Sequence, residues 1–365
     1  MLAAAMLFLP APAGSAPTAV PALALTFLVI GLMAAGAMPE LHFAFLFFAL
    51  ALVFQIAPAE AVFSGFRAGA FWLVAGGIVL GMAAERTRLG TWVAAIFLRR
   101  ADGTLAKAVA GLSIGAVVLG FLITAAWARV IILFRIFLAL ADRLGFPHGC
   151  RGRRAMLLSV VMISFFVPMA ILPANFPNVL LSGMSDSLYG VDMTFGLYML
   201  ANFPIAGALK GLLVVGVILY WFRDRVRIAD APPPDRPPLS PAGRRLAVIV
   251  LATVTAWATD FWHGVSPGWV TITAAVICLM PVVGVLTPDD LKGRTSAFTA
   301  VFTVATVIGL GAVMAAAGAG DMIAHLLLDA TDFGSGNAPY VYTVFSAINI
   351  AMMLFATIPG AITVM

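Results

Sequence analysis

The sequence predicts an all-α protein that crosses a membrane many times, and three observations lead to this prediction. Of its 365 residues, 62% are hydrophobic and 10% are charged, whereas a soluble domain carries about 25% charge. The mean hydropathy is +1.07. Apolar runs of about 20 residues, long enough to cross a bilayer as a helix, recur along the chain and are separated by basic loops.

Eight apolar segments have the length of a spanning helix, and the one at 155–183 is broken by prolines. Segments 105–142 and 338–365 are apolar but interrupted, and the short amphipathic stretch 89–100 is predicted to lie along the membrane interface. We expect both chain ends to be cut relative to a longer parent, because the N-terminus lacks the basic start of a signal peptide and the C-terminus stops within an apolar segment. The eight predicted spans are 19–38, 41–57, 68–84, 155–183, 193–222, 246–262, 267–286 and 296–317.

Arginine and lysine cluster in loops 86–107, 143–154 and 223–245, which the positive-inside rule places in the cytoplasm. Because the first two loops then share a side, the segment 105–142 must enter the membrane and return as a re-entrant hairpin, with its turn near Thr124–Trp127. The loop 223–245 is rich in proline and charge, which is typical of a stiff solvated linker. The net charge of +5 therefore concerns topology and not nucleic acid.

The segment 155–183 carries no charge, yet it cannot form one continuous helix. Pro168, Pro173 and Pro177 each remove an amide donor and clash with the preceding turn. Asn175 and Asn178 lie among them. Unwound backbone at membrane depth is tolerated only where protein or a water-filled cavity satisfies it, and discontinuous helices with polar groups form the midplane sites of many transporters. This segment indicates transport of a solute.

The two halves of the chain share a weak internal similarity. In each half a polar turn leads to a Gly-rich span, a short interfacial segment and a broken hairpin, and Thr124 aligns with Thr357. The first hairpin is predicted to enter from inside and the second from outside, which indicates an inverted repeat with a site between the hairpin tips. The sequence is therefore predicted to divide into five parts. Residues 1–104 form scaffold helices of the first repeat, with an interfacial helix at 89–100, and residues 105–222 contain the first hairpin, the broken helix and the span after it. Residues 223–245 are the linker, 246–337 form scaffold helices of the second repeat, and 338–365 begin an incomplete second hairpin.

Arg129 and Arg135 follow the predicted hairpin turn. A charged residue within a span normally faces a cavity or a partner, and a guanidinium suits a bidentate contact with carboxylate or sulfate. Arg129 is therefore a candidate for attracting an anion, in place of charge that a cation would supply. The alternative for either arginine is a side chain that reaches the cytoplasmic face or forms an ion pair.

The polar residues of the hairpins and the break also have two interpretations. Asn175 and Asn178 could contact a substrate or ion, or could cap the half-helix ends that the prolines create. Thr124 and Thr357 could serve as ligands, or could bond to their own helices. The sequence alone leaves both alternatives open.

Other chemistries find little support in the sequence. Cys150 and Cys278 are far apart, so neither a disulfide nor a thiol metal site is expected. We find no paired carboxylates, Ser-His-Asp set or histidine cluster, so an enzyme is not expected. Carboxylates are scarce within the spans, which argues against proton coupling.

Four stretches resemble the divalent anion:sodium symporter family, whose members carry dicarboxylates, citrate or sulfate. The likeness follows the chain in order and includes the broken segment. The matching stretches are Ala37-Met38-Pro39, the segment from Glu85 to Gly90 (ERTRLG), the segment from Gly284 to Leu291 (GVLTPDDL) and Pro177-Asn178.

The resemblance implies a dimer in which a transport domain moves like an elevator across the membrane against a scaffold domain. It implies secondary active, sodium-coupled transport of a dicarboxylate, citrate or sulfate, by a multi-pass protein of the bacterial inner membrane. Together with the arguments from charge and helix breaks above, it predicts substrate or ion contacts at Thr124, Arg129, Asn175, Pro177, Asn178 and Thr357, with a possible sodium site near Thr124 and Asn178 and no other cofactor.

The hairpin tips depart from the family pattern, in which each tip carries Ser-Asn-Thr that supplies ligands to sodium and substrate. Here the tips read Thr124-Ala125-Ala126 and Thr357-Ile358-Pro359. The alternatives to a carrier are a degenerate or truncated family member without transport activity, and a polytopic membrane enzyme.

Overall fold

A computed structural model describes residues 16–98, 103–123, 126–225, 238–292, 295–330, 338–344 and 346–347. Within these ranges the chain consists of helices and turns, which confirms the predicted all-α class. The helices are α1 (Ala19–Ala34), α2 (Glu40–Val53), α3 (Ala59–Val62), α4 (Ser64–Arg67), α5 (Gly69–Thr87), α6 (Leu89–Leu98), α7 (Leu105–Gly120), α8 (Ala126–Arg143), α9 (Arg151–Phe166), α10 (Phe176–Tyr189), α11 (Phe195–Asn202), α12 (Lys210–Trp221), α13 (Pro241–Ala258), α14 (Asp260–His263), α15 (Pro267–Leu279), α16 (Pro288–Leu291), α17 (Thr295–Ala316) and α18 (Ala319–Ala330).

Several helices begin where a side chain can accept a backbone N–H of the first turn. The hydroxyl oxygens of Thr104, Thr194 and Ser240 accept the third N–H beyond them, at 3.2, 3.2 and 3.0 Å, and so start α7, α11 and α13. Such caps satisfy one of the amide donors that a helix start leaves free. Proline occupies the first turn of α13, α15 and α16, where its missing donor has no cost.

Four helical stretches among the described residues are long and apolar enough to cross a membrane. They match predicted spans, and the apolar helices α1, α2, α7 and α15 are shorter. The protein is therefore an integral membrane protein with many helices. The four stretches are Gly69–Thr87, Arg151–Ala170, Phe195–Trp221 and Phe298–Ala316.

The chain divides into two compact units, and the first comprises residues 1–68, 186–191 and 299–365. Its described part contains α1–α4 and most of α17. Phenylalanine rings of α2 pack against Phe63 and Phe66, with centroids 5.4 to 5.5 Å from that of Phe48. The Thr303 hydroxyl donates to Glu40 at 3.2 Å. Aromatic packing and this polar contact join α2 to α17.

The second unit comprises residues 69–185 and 192–298, and two apolar cores lie among its described residues. One core lies among α7, α8 and α9 and includes Ile218 of α12. The other joins α5, α13 and α15. A Cβ added to Gly76 of α5 would lie 2.8 Å from the Thr271 backbone. Only glycine therefore allows α5 and α15 to approach this closely.

Both interruptions predicted in the first half are confirmed. In the segment 105–142, α7 ends at Gly120 and α8 begins at Ala126, and the two helices pack together and against α9. In the segment 155–183, α9 ends at Phe166 and α10 begins at Phe176. The side of the membrane from which each enters, the inverted repeat and the division into scaffold and transport domains stay predictions.

Candidate functional site

The chain between α9 and α10 is unwound, and its prolines explain why. Two single 3-10 turns, Pro168–Ala170 and Leu172–Ala174, replace the α-helix. In a continuous helix residue i donates to the carbonyl of residue i−4. Proline has no N–H, so Pro168 leaves the Ser164 carbonyl without this donor and Pro173 does the same to Met169. These freed carbonyls must find other donors, because a buried unsatisfied carbonyl costs about 1–3 kcal/mol.

Two side chains supply donors to the middle of the break. The Asn178 amide, on a residue that is 7% exposed, donates to the carbonyls of Met169 and Ile171 at 3.0 Å and more weakly to Pro168 at 3.4 Å. The Tyr198 hydroxyl on α11 also donates to Met169, at 3.0 Å. The amide of Asn178 therefore fixes the unwound backbone from within the first turn of α10.

Arg129 holds the two ends of the break against the hairpin. This arginine lies in the first turn of α8, and its side chain is among the largest that are fully buried, with 1% exposure. One terminal nitrogen, Nη1, donates to the carbonyls of Ile123 and Ala174, at 2.5 and 3.1 Å. The other, Nη2, donates to Ser164 at 2.8 Å. One guanidinium thus links the hairpin turn with the carbonyl that Pro168 frees.

The surroundings of Arg129 differ from those of a second buried arginine nearby. Arg153 of α9 is 8% exposed and pairs with the Asp142 carboxylate at 2.7 Å, while also donating to the Phe146 carbonyl at 3.0 Å. The three acceptors of Arg129 named above are neutral carbonyls. Arg153 stabilises a loop by an ion pair, whereas Arg129 brings a positive charge to the ends of unwound segments.

A cavity of about 690 Å³ adjoins the hairpin turn. Helices α5, α6 and α8 form its walls, and Ile123, whose carbonyl binds Arg129, lies at its edge. Its lining includes Glu85 and two exposed arginines, Arg88 and Arg135. Among the described residues of the lining, two cations and one carboxylate give a net positive charge, which attracts anions.

The remaining predicted site residues fall into two groups. Thr124 and Thr357 lie outside the described residues, so their roles stay predictions. Asn175 is half-buried at the end of the break, and Pro177 is exposed in the first turn of α10. The structure thus brings Arg129 and Asn178 to one break, with Asn175 and Pro177 at its edge.

Sequence reasoning missed Tyr198, Arg88 and Glu85. Tyr198 had a usable signal, because it lies in a predominantly apolar span and a buried tyrosine hydroxyl normally has a hydrogen-bond partner. Glu85 and Arg88 appeared only in the family-like stretch from Glu85 to Gly90, and Arg88 also in the basic loop 86–107, with no role in a site. Their place beside the hairpin depends on how α5 and α6 pack against α8.

The described residues near the break fit a sodium ion poorly. Sodium needs several oxygen ligands, and the carbonyl oxygens of Ile123, Ser164 and Ala174 already accept hydrogen bonds from Arg129. The Asn178 amide nitrogen is directed at carbonyls, so it too takes up acceptors in this region. No group of three or more histidine, cysteine or acidic residues that could hold a metal occurs in the part of the chain that the structure describes.

Spanning helices, a proline-broken helix and a paired hairpin beside a positively lined cavity define the class of membrane transport proteins with discontinuous helices. A match to a family model identifies the family within this class. All of residues 1–365 match the sodium:sulfate symporter transmembrane region, and the chain belongs to that family. It is therefore an anion transporter and not an enzyme. A comparison with curated proteins gave no match.

Proposed function

We propose that this protein carries a small divalent or carboxylate anion, such as sulfate, a dicarboxylate or citrate, by secondary active transport coupled to sodium. The observation that carries the proposal is the break between α9 and α10, which Arg129 joins to a hairpin at the edge of a positively lined cavity. Discontinuous helices of this kind hold the substrate sites of secondary transporters near the membrane midplane.

The cavity supports an anionic substrate. Arg88 and Arg135 project into a space large enough for a small dianion, and a guanidinium binds carboxylate and sulfate through two parallel hydrogen bonds. The two arginines would collect the anion and deliver it to the hairpin turn. Thr124, Asn175 and Thr357 would then contact the anion or the coupling ion, as the family resemblance suggests.

The same proposal includes the family's mode of action. Two inverted repeats would place the transport site between two hairpins, and a transport domain would move like an elevator against a dimeric scaffold. Family membership and the confirmed helix interruptions support this scheme. The bacterial inner membrane is the location that we propose.

Uptake by the full-length protein in proteoliposomes tests the function. We expect labelled sulfate, succinate or citrate to accumulate under an inward sodium gradient and not with choline in place of sodium. Equal uptake with the sodium gradient and with choline would contradict sodium coupling but leave the assignment as a carrier intact. Failure to take up any of the three anions would contradict both and favour a degenerate family member.

A pair of variants tests the role of the cavity. Arg135→Gln should raise the KM for the anion several-fold, because it removes one of the two cations of the lining. Arg244→Gln is the matched control, since Arg244 is an exposed arginine of α13 outside this cavity. Equal KM values for both variants would contradict the proposed path of the anion.

A further inference from the structure

The three carbonyls that accept from Arg129 share an electrostatic property. Ser164 lies in the last turn of α9, Ala174 ends the second 3-10 turn, and Ile123 follows the end of α7. The carbonyls at a helix C-terminus carry a partial negative charge, equivalent to about half an elementary charge. Ser164 is such an end, whereas Ala174 closes a single 3-10 turn and Ile123 follows α7, so these two contribute only the dipoles of their own carbonyls. Three carbonyl oxygens therefore converge on one point, where a cation is favoured.

A guanidinium now occupies that point. The Arg129 side chain is 1% exposed, and its two terminal nitrogens reach the three carbonyls at 2.5, 3.1 and 2.8 Å. Its own helix gives no help, because Arg129 lies in the first turn of α8, where the helix dipole disfavours positive charge. The carbonyls of the break and the hairpin turn contribute to its stabilisation.

Transporters with broken helices place sodium against this same kind of group, since unwound carbonyls and half-helix C-termini coordinate the coupling cation. We infer that Arg129 is a built-in cation that takes the place of one sodium ion at the first hairpin, so that sodium does not bind there. This inference rests on the proposed function and concerns the number of sodium ions. A tethered charge cannot leave on the far side of the membrane, so it adds nothing to coupling.

The side chains nearby agree with this substitution. The tip residues Ala125 and Ala126 offer no side-chain oxygen where a sodium ligand would be expected. Asn178 directs its amide nitrogen to three other carbonyls of the break. The proline-freed carbonyl of Ser164 is bonded to Arg129. Any sodium dependence of transport would then arise from the second half of the chain.

Sodium binding by the purified full-length protein tests the inference without measuring transport. We would compare wild type, Arg129→Ala, Arg129→Gln, Arg129→Lys and the control Arg244→Ala, which changes an exposed arginine outside the cavity and the break. The melting temperature in detergent would be titrated with sodium chloride against choline chloride at equal ionic strength. Bound radioactive sodium per chain would be counted in parallel.

We expect Arg129→Ala and Arg129→Gln to melt lower than wild type in choline and to gain a saturable, sodium-specific rise in melting temperature. Wild type, Arg244→Ala and Arg129→Lys should lack this rise. We also expect the two neutral variants to bind one more sodium ion per chain. Equal sodium responses in all five proteins, or a gain shared by Arg129→Lys, would overturn the inference. Failure of both neutral variants to fold in either salt would make Arg129 purely structural and overturn it as well.

These readouts separate the inference from the proposed function. A protein that transports nothing could still gain a sodium ion when Arg129 is neutralised. Conversely, sodium-driven uptake by the wild type together with no gain in the neutral variants would leave the carrier intact and refute the built-in cation.

Discussion

Pro168 and Pro204 each interrupt a long apolar helix, and the surrounding chain accommodates them differently. At Pro168 the helix unwinds over two 3-10 turns, and side chains of three other helices donate to the exposed carbonyls. At Pro204 the helix continues, because residues Phe203–Leu209 widen into a π-helix. There Lys210 donates to Ile205, five residues back, so the backbone still satisfies itself.

The burial of the two prolines explains this contrast. The stretch Arg151–Ala170 is 56% buried, so neighbouring helices can supply Arg129, Asn178 and Tyr198 as donors. The stretch Phe195–Trp221 is only 17% buried and presents apolar residues such as Ile205 outward. A proline on that outer surface has few neighbouring side chains to donate hydrogen bonds, so the helix must change its own backbone hydrogen-bonding pattern. A proline therefore produces a polar site only where other elements bring hydrogen-bond donors to it.

The largest expected effect comes from making the same substitution at both prolines. Pro168→Ala restores an N–H that competes with Arg129 for the Ser164 carbonyl, so the break can rewind and uptake should fall on the order of tenfold or more. Pro204→Ala should leave uptake unchanged, because the π-helix already satisfies its backbone. Measurement is by proteoliposome uptake of the anion. Equal losses at both positions would remove the distinction between the two interruptions.

A second prediction concerns the side chains that donate hydrogen bonds to the break. Asn178→Leu leaves the Met169 and Ile171 carbonyls without the amide, and should lower the free energy of unfolding by about 2 kcal/mol. Thermal unfolding in detergent measures this loss. Asn202→Leu is the control, since the Asn202 amide donates at 3.0 Å to a carbonyl within its own helix, that of Tyr198. A loss at Asn202 as large as that at Asn178 would show that the break needs no special donors.

The smallest effect is expected at Tyr198. Tyr198→Phe removes one hydroxyl from the Met169 carbonyl, which still accepts from Asn178. The expected loss is about 1 kcal/mol in the free energy of unfolding, typical of one neutral hydrogen bond. The double variant with Asn178→Leu should lose more than the sum of the two single variants, because both donors to Met169 are then gone. Strict additivity in the same unfolding assay would contradict a shared role at this carbonyl.

Much of this architecture was predictable because it depends on local rules. The break at Pro168 follows from the missing donor of proline, and the turn between α7 and α8 follows from charge in the flanking loops. The side chains that donate hydrogen bonds to the break were harder to predict from the sequence. Arg129 reaches acceptors 35 and 45 residues further along the chain, so its partners depend on how three helices pack. Asn178 had two interpretations in the sequence, and only the packed structure shows which carbonyls its amide contacts.

The long separation between Arg129 and its acceptors has a consequence for biosynthesis. When α8 leaves the ribosome, the carbonyls of Ser164 and Ala174 are still inside the exit tunnel, because they lie 35 and 45 residues after Arg129. An arginine at the centre of the bilayer opposes membrane insertion by about 2.5–3.5 kcal/mol, and the predicted re-entrant hairpin would place the first turn of α8 there. The hairpin of α7 and α8 should therefore stay at the membrane surface or in the insertion machinery until the break after α9 emerges. Ribosome-stalled chains of increasing length would then show the hairpin becoming protected only after residue Ala174 has cleared the exit tunnel.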